Sequence, residues 1–168
     1  MTDKVDFALR MILIGGGATL VMDAWAFVLR QLGVPSLNLA FLGRWVGHLP
    51  RGQWLHESIA KADPVRGERL LGWGAHYSIG VTFTAVLLAT FGLKWAHSPS
   101  LLPALLIGIP TVVAPLFVLQ PALGAGIAST KTAAPLFNSM KSVVTHTVFG
   151  FGLYLAALVT AWLIPAAR

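Results

Sequence analysis

The sequence predicts an all-α integral membrane protein: four transmembrane helices with a partly helical first loop that is interfacial or re-entrant. Three observations carry this prediction. Of the 168 residues, 56% are hydrophobic and 11% charged, whereas a soluble domain carries roughly a quarter charged residues. Four apolar runs each approach the ~20 residues that a helix needs to cross a hydrocarbon core of about 30 Å. Cysteine is absent, so a disulfide framework, a thiolate metal site and a cysteine nucleophile are unavailable. The chain has room for one transmembrane domain, residues 1–168, and for no second soluble domain.

The first run, residues 11–32, follows Lys4 and Arg10 and contains Ala24-Trp25-Ala26, the outline of a signal peptide. Asp23 inside the run, Trp25 within the small-residue site and the apolar residues beyond it favour a retained helix. In the loop that follows, Leu37, Leu39, Phe41, Leu42, Trp45 and Val46 form an apolar stretch too short to span. It suits an interfacial or re-entrant helix capping one mouth of the bundle. A second short helix is expected over residues 55–61, and Asp63-Pro64 reads as a turn or helix start before residues 65–71.

The second span covers residues 74–95 and the third residues 101–123. The third carries Pro103, Pro110, Pro115 and Pro121. Proline removes a backbone donor and clashes with the preceding turn, so this helix should be kinked or broken. It closes on the small-residue segment Gln120 to Ala128, which fits either a half-helix or re-entrant turn or plain close packing. The fourth span covers residues 142–164. Trp45, Trp54, Trp73, Trp95 and Trp162 fall near predicted interfaces, as an aromatic belt requires.

Charge sets the expected topology. Arg30, Arg44, Arg51, Lys61, Arg66, Arg69, Lys131 and Lys141 fall on the side of the two long loops, and Lys4, Arg10, Lys94 and Arg168 on the other. The positive-inside bias then places both termini in the periplasm and the long loops in the cytoplasm. The same bias accounts for the net charge of +6, so the expected partner is the bilayer and no nucleic acid is needed.

Ionisable side chains are costly in lipid and mark candidate sites. Because successive spans alternate in direction, Asp23, His76, His146 and Gln120 come to the mouth that the first loop caps with His48, His56 and Glu57. Helical spacing supports this convergence. Gly15, Thr19 and Asp23 recur every fourth residue, as do His76, Gly80 and Thr84, and His146, Gly150 and Tyr154. Each stripe of small and polar residues should face the bundle interior. Trp25 is expected beside Asp23, and an alternative partner for Asp23 is Arg30, seven residues on. His97 belongs to the opposite mouth.

Imidazoles and carboxylates from several helices suit a metal ion, and two facing histidines suit a haem iron. His76, His146, His48, His56 and Glu57 are the candidate ligands. Asp23, Trp25, Gln120 and Tyr154 would complete the polar site. The same residues could carry protons or engage substrate in a small oligomeric transporter, or form the docking surface of a non-catalytic membrane partner. No His-Glu-x-x-His, Glu-x-x-His or Gly-x-Ser-x-Gly motif is present, and Gly15-Gly16-Gly17 lacks the lysine of a phosphate loop. The sequence therefore specifies no reaction.

Several strings carry a resemblance. Gly17-Ala18-Thr19-Leu20-Val21-Met22-Asp23-Ala24-Trp25, Gly43-Arg44-Trp45-Val46-Gly47-His48, Gly72-Trp73-Gly74-Ala75-His76-Tyr77, Gln120-Pro121-Ala122-Leu123-Gly124-Ala125-Gly126 and Thr145-His146-Thr147-Val148-Phe149-Gly150 are similar to those of an uncharacterised bacterial inner-membrane family, domain-of-unknown-function family twenty-nine thirty-eight. The resemblance spans nearly the whole chain. It implies a four-helix protein of the bacterial inner membrane and brings no activity, cofactor or site residue.

Overall fold

A computed structural model describes residues 2–165, which form helices and loops with no strand among them. The helices are α1 (Asp3–Gln31), α2 (Leu39–His48), α3 (Glu68–His97), α4 (Leu101–Ala122) and α5 (Pro135–Leu163). All except α2 are long and apolar enough to cross a membrane. At 29, 30 and 29 residues, α1, α3 and α5 outrun the apolar segments expected from sequence. Hydropathy marks only the part in lipid, whereas backbone hydrogen bonding continues through the polar interface.

α1 packs against α3 and α5, and α4 packs on α5. Ile14, Ala18, Leu87, Leu88, Phe149 and Leu153 form the centre of the apolar core. Small residues set the crossings. A Cβ on Gly15 would lie 2.6 Å from Val81 Cα, and one on Gly17 2.8 Å from Ala156 Cβ. A Cβ on Gly152 would lie 2.9 Å from the Ala18 carbonyl oxygen. The predicted stripes on α1 and α3 therefore meet each other, with Thr19 and Thr84 donating to the carbonyls of Gly15 and Gly80 within their own helices.

The proline-rich third span is broken in geometry while keeping its course. It runs as α-helix (Leu101–Gly108), 3-10 turn (Pro110–Val112), π-helix (Ala114–Leu119) and a last helical turn (Gln120–Ala122). The segment after it is an irregular turn in which Ala128 and Ser129 adopt φ of 48° and 61°.

The first loop carries α2 as expected, capped by the Asn38 side chain accepting from Ala40 N–H at 3.0 Å. Residues 55–61 are not the second short helix expected from sequence. Their backbone is engaged elsewhere: His56 N–H donates to the Ala122 carbonyl and Ile59 N–H to that of Leu123, each at 3.0 Å. The helix foreseen at Asp63-Pro64 begins instead at Glu68, after Gly67 at φ 78°.

Arg44 binds this loop to the bundle. Its Nε and Nη2 reach the two Glu68 carboxylate oxygens at 2.8 and 2.9 Å, and Nη1 donates to the carbonyls of Ile59 and Ala62 at 3.0 Å. The hydrogen-bonded Glu68 carboxylate holds the guanidinium above its ordinary pKa against the opposing effect of burial. Trp54, Trp73 and Trp162 are exposed as a belt requires, but Trp95 is buried and donates to the Ser100 carbonyl at 3.0 Å.

At the opposite mouth, Arg10 is 1% exposed. Its Nε donates to Asp6 at 2.8 Å, and its other nitrogens donate to the carbonyls of Ala96 and Ile164. Asp6 also meets His97 Nε2 at 2.8 Å. This network ties α1 to the far ends of α3 and α5. Arg168 lies outside the described residues.

Candidate functional site

The crossings that hold the bundle also place its polar residues. Gly80 crosses α1 so closely that a Cβ would strike Thr19 Oγ1. One turn beyond this contact on each antiparallel helix stand Asp23 and His76, with His76 Nε2 3.0 Å from Asp23 Oδ1. Tyr77 donates its hydroxyl to Asp23 Oδ2, also at 3.0 Å. The carboxylate thus accepts two hydrogen bonds, and with Nε2–H donated a neutral His76 ring keeps its lone pair on Nδ1. The Trp73 ring stands edge-on to His76, centroids 6.5 Å apart.

His146 is positioned by an equivalent device. A Cβ on Gly108 of α4 would collide with the Gly150 backbone of α5, and this approach brings Thr111 beside His146. The 3-10 turn begun at Pro110 sends Val112 N–H to the Ile109 carbonyl, and the Gly108 carbonyl accepts the Thr111 hydroxyl instead. Having spent its only hydrogen, Thr111 Oγ1 accepts from His146 Nδ1–H at 2.7 Å. His146 Nε2 therefore keeps its lone pair. No hydrogen bond among the described residues engages His76 Nδ1 or His146 Nε2, and neither is a buried orphan.

Both imidazoles line one cavity of about 840 Å³ at the loop-side mouth. All four spans contribute to it, α2 roofs it with Leu39, Leu42 and Trp45, and the π-helical turn of α4 supplies Pro115, Val118 and Leu119. A π-helical turn at a cavity is a common functional arrangement. The expected convergence of Asp23, His76 and His146 is thus present.

The remaining predicted residues are placed differently. His48 and His56 stack at 5.0 Å over a separate, smaller opening that Glu57 also lines. His48 Nδ1 meets His56 Nε2 at 2.8 Å, while their outer nitrogens face the carbonyls of Asp63 and Ala122 at 3.1 and 3.3 Å. With all four nitrogens engaged within the protein, this pair clasps the loop to the end of α4. His56→Ala should accelerate amide hydrogen exchange over residues 53–63 while sparing α1 and α5; uniform exchange would contradict the clasp.

Among the described residues no group of three or more His, Asp or Glu is placed to hold a metal ion. The five predicted ligands are therefore split between two places. Gln120 lies outside the cavity, accepting from Ser129 Oγ at 2.9 Å and donating to Ser142 Oγ at 3.3 Å. Tyr154 packs against the apolar core, two turns inward from His146. Trp25 continues the Gly17 and Val21 side of α1, which meets α5, and its enclosed Nε1 has no partner. Arg30 donates to Ser36 at 3.0 Å and does not pair with Asp23.

Tyr77 and Thr111 are the site residues that sequence reasoning missed. Adjacency to His76 pointed to the first. Nothing pointed to the second, because its partner is 35 positions away. The stretch from residue 12 to residue 160 matches the model of the family described as "Protein of unknown function (DUF2938)". The chain belongs to this family. The match takes in Asp23, His76, Tyr77, Thr111 and His146, so the cavity is built wholly from the family's domain. No curated protein and no solved structure was found to match the chain.

Proposed function

We propose that this family member is a binding protein or carrier of the bacterial inner membrane, whose cavity takes a lipid-soluble ligand with its polar end against His76 and His146. One observation carries the reading: two imidazole nitrogens, each aimed through its other ring nitrogen, stand unpartnered in a largely apolar cavity roofed by α2. Such sites combine apolar walls with a few oriented polar groups. His76 Nδ1 and His146 Nε2 can each accept a hydrogen bond from the ligand. As a carrier, a four-span chain would act with a second copy of itself.

The orientation we infer has both termini in the periplasm and the cavity opening toward the cytoplasm. Eight basic residues flank the loop side and four the other.

A second reading is a haem or metal centre, favoured by the same two open nitrogens. Ligating histidines are oriented through their other ring nitrogen in this way, and a haem iron takes two axial ligands. Native mass spectrometry of the purified protein, with an absorption spectrum and metal analysis, separates the readings. A co-purified lipid-soluble molecule, reduced in His76→Ala and His146→Ala and without a Soret band, is the expected result. A Soret band lost in both variants would replace it with the haem reading. Unchanged occupancy in both variants would remove the site altogether.

A further inference from the structure

We propose that the ligand is a single-chain amphiphile with an anionic head, a carboxylate or phosphate monoester, held by Arg30, Arg69 and Lys141. The proposal rests on the cavity being a binding site, as inferred above. The three cations line its loop-side lip. Among the described residues Asp23 is the only carboxylate lining the cavity, and both of its oxygens are occupied by His76 and Tyr77.

Among the described residues no carboxylate forms an ion pair with Arg30, Arg69 or Lys141. Arg69 makes no hydrogen bond or ion pair among the described residues, and its neighbour Glu68 is committed to Arg44. Arg30 spends one nitrogen on Ser36. Lys141 is steadied by the Pro35 carbonyl at 2.6 Å, which fixes its ammonium at the opening. The positive-inside bias explains basic residues on this side, but not three of them turned to one cavity.

Below the lip the walls are Met22, Ala26, Leu29, Leu42, Phe83 and Val118. An anion without a tail would gain nothing from these walls, and a neutral amphiphile would make no use of the three cations at the lip. Guanidinium forks match carboxylate and phosphate geometry, and a low-dielectric rim focuses the positive potential. A single-chain lipid resident in the bilayer, such as a lysophosphatidate, and a soluble fatty acid entering from the loop side share this chemistry.

Trp45 and Trp73 line the cavity, which supplies an intrinsic readout. The full chain in nanodiscs of zwitterionic lipid is titrated with doxyl-labelled stearate, its monoalkyl phosphate analogue and the equally labelled alcohol. Saturable tryptophan quenching should favour the anionic probes over the alcohol by about tenfold or more. Arg69→Gln should reduce that preference, and Arg30→Gln/Arg69→Gln/Lys141→Gln should abolish it while alcohol quenching stays. A tightly held fatty acid or lysophosphatidate, released only on denaturation and blocking the stearate probe, would identify a bilayer source; free uptake of stearate by ligand-free protein would identify a soluble one, and a two-chain phospholipid in the cavity would overturn the single-chain ligand. Equal quenching by alcohol and stearate in the unmodified protein would overturn the anionic head and leave the cavity reading standing. Absence of saturable quenching by every probe, with no lipid bound, would overturn both.

Discussion

Arg10→Met is expected to lower stability by about 3–5 kcal/mol, the usual consequence of removing one partner from a buried ion pair. Arg10 is 1% exposed and Asp6 8%, so Asp6 would be left inside the bundle with His97 as its remaining partner. The carbonyls of Ala96 and Ile164 would lose a donor as well. The loss is therefore one of compensation more than of attraction. Asp6→Asn/Arg10→Met should recover part of it, because the orphaned charge is gone. Thermal unfolding of the purified protein in detergent measures both variants, with Lys4→Met as the exposed control. A midpoint for Arg10→Met equal to the control, or a double variant worse than the single, would contradict a buried charge network at this mouth.

Gly43→Ala is expected to open the roof of the cavity. A Cβ at this position runs into the Glu68 carbonyl, and one on Gly72 runs into that of Leu39. α2 and α3 thus touch backbone to backbone, and neither can yield by rotating a side chain. Overpacking of this kind costs about 1–3 kcal/mol, here concentrated on the docking of α2. Displacing α2 also draws Arg44 away from Glu68 and moves Leu39, Leu42 and Trp45 off the cavity. The expected outcome is loss of saturable ligand quenching and rapid proteolysis of the first loop, with the helical circular dichroism of the spans retained. Gly74→Ala is the control, since its Cβ would meet nothing within 4 Å. Wild-type binding and loop protection in Gly43→Ala would contradict the backbone-to-backbone contact of α2 with α3.

The convergence of Asp23, His76 and His146 was legible because helix direction alternates and because Gly15, Thr19 and Asp23 share a face with the Gly80 stripe of α3. The division of the predicted ligands was not. His48 and His56 are eight residues apart in a loop whose path depends on Ala122 and Leu123, and no periodicity relates those segments. The network of Asp6, Arg10 and the half-buried His97 was likewise hidden, since Arg10 reads in sequence as an interfacial cation and His97 as an isolated residue. In the third span the prolines announced a break, but whether the freed carbonyls would kink the helix or be taken up locally depended on Thr111 lying beside His146.

Sequence alone determined the class of the protein, its four spans and the end at which its polar residues gather. Those properties follow from how much apolar surface the chain carries and from the alternation of helix direction, both of which are local or additive. The tertiary structure alone decided which nitrogens are spent and which stay open. That outcome depends on glycine contacts that bring two helix backbones together, and a hydrogen bond exists only when donor and acceptor meet within about 3 Å.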